Sequence, residues 1–183
     1  SGSFQAVDIT KAVTIRGAGM QVDTIAKIYP SVIVGKYVIN VADTLEQHLT
    51  MEGVYCDDNT VTVYNTLKNA TFIKSRFHRF ESVYGETNGY GHMINLAFIH
   101  CKIAKHFNNA NGGNTVSFVN SVIMNPYVGY SSFTNNSFEF TNCVIRWDGS
   151  FRNSCYPSNS SYYAIYRNCI LSSFTYSTTS YHN

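Results

Sequence analysis

The amino-acid sequence predicts an all-β chain wound into a right-handed parallel β-helix, a single-stranded β-solenoid of about eight coils. A short pattern recurs along the chain, its apolar positions alternate as they do in strands, and the composition suits strands joined by polar turns. Charged residues make up only 13% of the 183 residues and aromatic residues 15%. Helical bundles are instead rich in Ala, Glu, Leu and Lys.

The clearest copy of the pattern is FEFTNCVI, which ends at Ile145. It has a small residue, Cys143, with an aromatic residue three positions earlier, Phe140, and an apolar residue two positions later, Ile145. We place eight copies of this frame, one per coil. The small position is occupied by Ala18, Val54, Ala70, Cys101, Ser121, Cys143 and Cys169, and by Tyr37 as a misfit.

Two positions of the frame are apolar or aromatic in every copy, which a helical or unstructured chain would rarely produce. The position three before the small residue is occupied by Ile15, Val34, Met51, Leu67, Phe98, Phe118, Phe140 and Tyr166. The position two after it is occupied by Met20, Ile39, Cys56, Phe72, Ile103, Ile123, Ile145 and Leu171. Successive coils should lie roughly 4.8 Å apart, so like positions should form inward columns. The last four residues of the first list should form an aromatic stack.

A polar row precedes the small residues, and it contains Asn69, His100, Asn120, Asn142 and Asn168. This position lies where a strand ends and the chain bends. A side-chain amide there can bond to the backbone of the turn and to its neighbour in the next coil. We therefore interpret these asparagines as a structural ladder and not as catalytic groups.

Two segments depart from the regular spacing, and both predict loops that project from the solenoid. The first is 77–92 and the second is 146–161. Insertions in solenoids often form the binding face. One short helix is predicted, over 42–49. No amphipathic helix precedes the first coil, so we expect the open ends to be covered by loops, by flanking domains of a longer protein or by another subunit.

Size and charge limit the classes of function. The length predicts one domain over 1–183, which could be a fragment of a longer chain. A net charge of +2 without a basic run argues against nucleic acid as a partner. No apolar run approaches the ~20 residues of a membrane-spanning helix, so we expect no membrane insertion.

The five cysteines are Cys56, Cys101, Cys143, Cys155 and Cys169. None of their spacings resembles a Cys-x-x-Cys metal site. Three of them occupy the small position of the frame, which favours free, buried thiols in a packed row over disulfide partners. Cys155, in a polar segment, should be the most accessible.

The run ITKAVTIRGAGMQVDTIA, over 9–26, carries a lysine, an alternating strand, a Gly-x-Gly bend and a threonine before the next strand. It is similar to the opening coil of pectin-lyase-like right-handed parallel β-helix proteins, and the later Asn-Cys-x-Ile copies resemble the interior coils of that superfamily. Without a helical pattern after them, Gly17 and Gly19 predict a tight bend and not a phosphate site. The resemblance implies the fold and leaves the function open.

The densest polar cluster follows the fourth copy and is the candidate site. Arginine forks suit carboxylates, and aromatic faces pack on sugar rings, so the cluster could bind an acidic glycan. The candidate ligand-binding residues of this cluster are Arg76, Arg79, Glu81, Tyr84 and Tyr90. Trp147 and Tyr156 are further candidates, from a second, aromatic loop cluster that would suit stacking on a neutral glycan. An ordinary solvated loop with local ion pairs is the alternative interpretation.

Resemblance to β-helix polysaccharide lyases implies a basic residue that abstracts a proton beside a uronic carboxylate, often with calcium. The candidates for that catalytic role are Lys74, Arg76, Arg79 and His92. Glu81 and Glu86 would be the calcium ligands; otherwise no cofactor and no metal is expected. The active-site strings of pectate lyases, pectin methylesterases and polygalacturonases are missing.

The sequence thus favours a non-catalytic secreted or cell-surface β-helix domain that binds a glycan or serves an architectural role. The alternative is a divergent polysaccharide lyase or glycoside hydrolase that acts on acidic polysaccharide through 74–92. A homo-oligomer would also be compatible with open solenoid ends. An antiparallel sandwich or jelly roll is the alternative fold.

Overall fold

A computed structural model describes residues 2–19, 30–41, 48–82, 92–109, 115–128, 136–147 and 162–173. These residues form nineteen strands in three sheets, and none of them lies in a helix. Every strand pairing within these ranges is parallel, so the chain is a parallel β-solenoid and not an antiparallel sandwich or jelly roll. The predicted fold class is confirmed.

Sheet 1 has seven strands stacked along the solenoid axis. They are β2 (Thr14–Arg16), β5 (Thr50–Glu52), β8 (Thr71–Ile73), β11 (Leu96–Ile99), β13 (Thr115–Val119), β16 (Asn136–Thr141) and β18 (Tyr162–Arg167).

Sheet 2 has ten strands, eight of them on one continuous path. Those on the path are β1 (Gly2–Gln5), β3 (Ser31–Val34), β6 (Val54–Val63), β9 (Arg76–Ser82), β12 (Lys102–Asn109), β14 (Val122–Met124), β17 (Val144–Trp147) and β19 (Ile170–Ser173). β4 (Tyr37–Ile39) pairs with β6, and β15 (Pro126–Val128) pairs with β12. Sheet 3 contains β7 (Leu67–Lys68) and β10 (Met93–Ile94).

The aromatic column predicted from the sequence is present in sheet 1. Phe98 is in register with Phe118, Phe118 with Phe140, and Phe140 with Tyr166. Their ring centroids lie 4.9, 5.0 and 5.0 Å apart, and neighbouring rings are within 15° of parallel. The column continues below Phe98 to Phe72, whose ring lies 4.6 Å away. This stack forms the spine of the core.

Sheet 1 ends in a row of residues with positive φ, where the chain turns into sheet 2. The row includes Gly53, Lys74, His100, Asn120, Asn142 and Asn168. The backbone N–H groups of the first five of these residues each donate to a carbonyl of the next turn, as that of Asn120 does to Thr141 at 3.0 Å. The Asn142 amide also donates to the Asn120 side chain at 3.2 Å, so part of the predicted ladder is present. Gly17 and Gly19 form the equivalent bend at the first turn, as predicted, and bond to Glu52 and Gly53.

The small position after this corner is a hydrogen-bond donor in most turns. Ser121 donates to the carbonyls of Val119 and Phe98, at 2.8 and 3.2 Å. Cys143 makes the same two bonds, to Thr141 and Phe118, at 3.3 and 3.4 Å. The slot therefore favours a small side chain with a donor, which both Ser and Cys provide, although Val54 occupies it in one turn. Cys56, Cys101, Cys143 and Cys169 are free thiols, the first three of them buried, as predicted; Cys155 lies outside the described residues.

Two of the eight copies of the frame are wrong in register. Phe72 pairs with Phe98, so the small position of that turn is Ser75 and not Ala70, and the corner residue is Lys74 and not Asn69. Ile33 pairs with Cys56, so Val34 and Tyr37 do not occupy the positions assigned to them. Tyr37 instead pairs with Val61, further along sheet 2.

These register errors displaced the first predicted loop. Residues Arg76–Ser82 are strand β9, with Phe77 and Phe80 fully buried, so a loop cannot begin at 77. The predicted helix over 42–49 falls mostly outside the described residues, and Leu49 belongs to the buried core. Within the described ranges about four turns are complete, those of β6, β9, β12 and β14 with β15, and shorter strands extend the stack at each end. The predicted count of about eight coils is too high.

Candidate functional site

Sheet 2 bends along a line of bulges, and this bend creates the candidate site. The register between β6 and β9 shifts between Cys56 and Thr60, and that between β9 and β12 shifts between Ile103 and His106. Beyond the bulges the strands continue as a second flat surface that includes β4 and β15. Bulges commonly redirect side chains in this way.

Alternation along the strands determines which side chains point outward here. Val61 and Val63 are fully buried, so Thr60 and Thr62 lie on the outer side of β6. Phe80 is also fully buried, so its neighbours Arg79 and Glu81 lie on the outer side of β9. We call this outer surface the distal face, and its described polar side chains are Lys36, Thr60, Thr62, Tyr64, Arg79 and Glu81.

The strand register brings these residues together from three turns of the chain. Thr60 is opposite Arg79, and Thr62 lies between Val38 and Glu81. The row continues through the backbone of Asn108, which is paired with Glu81, to Tyr127. A row of this kind runs along the solenoid axis and suits an extended ligand.

Lys36 and Tyr64 form one end of the cluster. The Lys36 ammonium lies 3.3 Å from the Tyr64 hydroxyl and 5.6 Å from the centre of its ring. Lys36 directly precedes Tyr37, which is paired with Val61 in the neighbouring strand.

Thr62 has an unusual environment for an outward-pointing residue. It is only 3% exposed, and its hydroxyl makes no hydrogen bond. Leaving a buried hydroxyl unbonded costs about 1–3 kcal/mol. Thr62 is therefore a buried neighbour of Glu81 in the register, and its hydroxyl is closed off from a ligand on the surface.

Glu81 is electrostatically coupled to both cations. Burial raises the pKa of its carboxyl above the ordinary value, and the charges of Arg79 and Lys36 oppose that shift. Desolvation is the larger effect, so the carboxyl holds its proton more tightly than an exposed glutamate does. When Glu81 is protonated, Lys36, Arg79 and Glu81 together carry two positive charges and no negative charge.

The sequence-predicted cluster is divided by the bend. Arg79 and Glu81 lie on the distal face, but Arg76 lies before the bend, with its guanidinium 4.6 Å from the Tyr55 ring in the neighbouring turn. Lys74 is exposed at the corner between sheets 1 and 2. His92 lies in front of β10, where its carbonyl accepts a bond from Leu67. The four residues proposed for catalysis are not brought together.

The side chains of the remaining predicted site residues are outside the described part of the chain. Tyr84, Glu86, Tyr90 and Tyr156 lie outside the described residues, as does most of the second predicted loop. Trp147 ends β17, and only its backbone is described.

Two ion pairs lie on the outer side of sheet 1. Arg16 lies 3.6 Å from Glu52, and Arg167 lies 3.4 Å from Glu139. Both pairs are exposed and contribute little to stability. Across the described side chains, no three His, Cys, Asp or Glu residues gather as a metal site would require. The described ranges contain no helix, and so none that could cross a membrane.

The sequence did not identify Lys36, Thr60, Thr62 or Tyr64 as site residues. The run VTVY over 61–64 alternates and so indicates that Thr62 and Tyr64 share one side of a strand. Their proximity to Lys36 and Glu81 depends on pairing between residues that are far apart in the chain. No local pattern specifies that pairing.

Comparison of the chain with protein-family models, with curated proteins and with solved structures found no match.

Proposed function

We propose that this chain is a non-catalytic β-helix domain that binds an acidic glycan along its distal face. One observation carries the proposal: Glu81, half-buried on the outer side of β9, interacts with the charges of Arg79 and Lys36, which come from different turns of the chain. A sugar carboxylate suits the two cations, and sugar hydroxyls suit the Glu81 carboxyl.

The surroundings of Arg76 favour binding over catalysis. Its guanidinium packs against Tyr55 of the preceding turn, which commits it to a structural contact. Lys74 and His92 lie on other sides of the solenoid. The only described carboxylate among the distal-face residues is Glu81, whereas acid and base catalysis of glycoside cleavage uses a pair of carboxylates.

The sequence resemblance supports a finer assignment. We assign the chain to the pectin-lyase-like superfamily on the Gly-x-Gly opening coil and the Asn-Cys-x-Ile interior coils, and we place it outside the cell or on the cell surface, where polysaccharides are found. Flanking domains or a second subunit would cover the ends of the stack.

Replacing Arg79 by Ala should weaken glycan binding at least 10-fold. Removing a charged donor that bonds to a carboxylate costs about 1.5–3 kcal/mol, and about 1.4 kcal/mol corresponds to a factor of ten. Isothermal titration of the full chain with a defined uronic-acid oligosaccharide measures this loss. The same oligosaccharide with its carboxyl groups reduced to alcohols is the control ligand. It should bind the wild type more weakly than the acidic oligosaccharide does.

Lys102→Ala is the control variant, because Lys102 is exposed on sheet 2 before the bend and carries the same charge. It should bind like the wild type. Equal losses in the two variants would show that net charge alone attracts the glycan. Unchanged binding by the Arg79 variant would contradict the proposal.

Replacing Glu81 by Gln should strengthen binding of the acidic oligosaccharide at neutral pH. Gln resembles the protonated carboxyl, whose pKa burial raises, and it removes a negative charge that repels the ligand. Wild-type affinity should therefore rise as pH falls through the pKa of Glu81, and the variant should lose this dependence. Parallel pH profiles for the two proteins would exclude a role for Glu81.

A polysaccharide lyase or hydrolase is the second candidate, favoured by the raised pKa of Glu81 beside two cations, since catalytic groups often have shifted pKa values. Incubation with a panel of uronic-acid polysaccharides, with and without calcium, tests for the absorbance of unsaturated products and for new reducing ends. Product formation that Arg79→Ala abolishes would establish the enzyme. Binding without product would establish the non-catalytic domain.

A further inference from the structure

Two cysteines occupy the same position in the last two described turns. The residues on either side of them are in register: Val144 pairs with Ile170, and Thr141 with Arg167. The backbone N–H of Ile170 also donates to the carbonyl of Cys143 at 2.9 Å. Neighbouring strands lie roughly 4.8 Å apart, so Cys143 and Cys169 stack within the ~4.4–6.8 Å separation of Cα atoms that disulfides require.

The two side chains have the same orientation. Each thiol donates to the carbonyl two residues before it and to the carbonyl of the aromatic residue in the preceding turn, at 3.3 and 3.4 Å for Cys143 and for Cys169. The two thiols therefore lie on the same side of neighbouring strands.

The other described cysteines have no such neighbour. Cys101 occupies the small position next to Ser121, to whose hydroxyl its own N–H donates. Cys56 belongs to a different column, between Ile33 and Phe77. Both are almost completely buried, whereas Cys169 is partly exposed and adjoins Ile170, which is 66% exposed. Cys56 and Cys101 therefore serve as controls in the same chain, because neither has a cysteine beside it and both are less exposed than Cys169.

We propose that Cys143 and Cys169 form a reversible disulfide that links the last two described turns. The oxidant is a small-molecule disulfide, such as oxidised glutathione. The Cys169 thiolate attacks it, forming a mixed disulfide and releasing one glutathione thiolate. The Cys143 thiolate then displaces the second glutathione. Two protein thiols are oxidised, the glutathione disulfide is reduced to two thiols, and the two protein protons pass to the thiols released or to the solvent.

The geometry also explains why the bond should be easily reduced. Side chains in register on parallel strands run side by side, so the two sulfur atoms must turn towards each other to form the bond. They then give up their bonds to the carbonyls of Phe118 and Phe140. Strained disulfides have more oxidising potentials and open readily.

The test treats the folded full chain, as a Cys155→Ser variant, with oxidised glutathione at mildly alkaline pH. Four cysteines then remain, since the sequence has five. Alkylation after unfolding, followed by intact mass and peptide mapping, should show the loss of two hydrogens and a single linked peptide pair that contains Cys143 and Cys169. Dithiothreitol should restore both thiols. Cys56 and Cys101 should be alkylated only after unfolding.

Cys143→Ser in the same background keeps the slot filled, because Ser121 makes the same two bonds in its own turn. This variant should stop at a mixed glutathione adduct on Cys169. An identical adduct in the protein that retains Cys143 would overturn the proposal. So would a cross-link through Cys56 or Cys101, or the absence of any linked peptide in a protein with native circular dichroism.

Discussion

At the scale of the residue, the solenoid depends on corners where the backbone is left-handed. Lys74, His100, Asn120, Asn142 and Asn168 share this position, with φ between 46° and 53°. The left-handed region costs an L-residue roughly 1–2 kcal/mol, less for Asn because its short polar side chain bonds locally. The sequence predicted the asparagines from their ability to bond, but the positive φ is the stronger reason for their presence.

Lys74 lacks the local hydrogen bond that asparagine offers at such a corner. Lys74→Asn should therefore stabilise the chain by about 0.5–1 kcal/mol, which would raise Tm by roughly 1–4 °C. Thermal unfolding followed by circular dichroism measures the change. Lys102→Asn is the control, because Lys102 is exposed in strand β12, where asparagine is unfavourable. A gain in both variants, or in neither, would contradict the explanation.

At the scale of the element, the repeated frame predicted most of the stacking correctly. Its error at Ala70 has a physical origin. A left-handed asparagine followed by a small or apolar residue marks any sharp corner, and each turn has more than one. Asn69 and Asn95 form a second such row, with φ of 52° and 56° and a side-chain bond of 2.7 Å between them. The local pattern cannot tell the two corners apart.

The aromatic column should make the largest contribution of any element. Phe118 is fully buried, lies 4.9 and 5.0 Å from its two stacked neighbours and meets the edge of Phe107 at 5.1 Å. Phe118→Ala should destabilise the protein by about 3–5 kcal/mol, because it leaves a cavity inside the stack. Urea unfolding provides the measurement.

Phe4→Ala is the matched control for that substitution. Phe4 is 55% exposed in the first strand, so its removal should change stability by less than about 0.5 kcal/mol. A small effect at Phe118 would mean that the column does not support the core.

At the scale of the whole molecule, only part of the candidate site could be predicted from the sequence. Arg79 and Glu81 were identified from local charge density, although in a predicted loop and not in a strand. Lys36 and Thr62 were not identified, because only the bend in sheet 2 and the pairing of β4 with β6 bring them near these two residues. Parallel solenoids assemble their faces from residues that are distant in the chain, so local patterns identify columns more reliably than surfaces.

Buried titratable groups distributed through the stack should make the whole fold sensitive to alkali. Burial raises the pKa of Cys56 and Cys101 to about 12 from 9.0, and that of Tyr37 to about 12 from 10.0. The unfolded chain loses these protons at lower pH than the folded chain does, so these three groups should leave stability unchanged below about pH 9 and lower it above that pH.

Cys101→Ser should have almost the same stability as the wild type at neutral pH, since serine occupies the same slot at Ser75 and Ser121 with equivalent bonds. Above about pH 9 it should lose less stability, because a titrating group has been removed. Ser121→Cys, kept reduced, adds such a group and should decline more steeply. Urea unfolding at intervals between about pH 7 and pH 11 separates the three proteins. Parallel curves would mean that the ionisation of buried thiols does not destabilise the fold, and the alkaline decline would then have to come from Tyr37 or from groups outside the small slot.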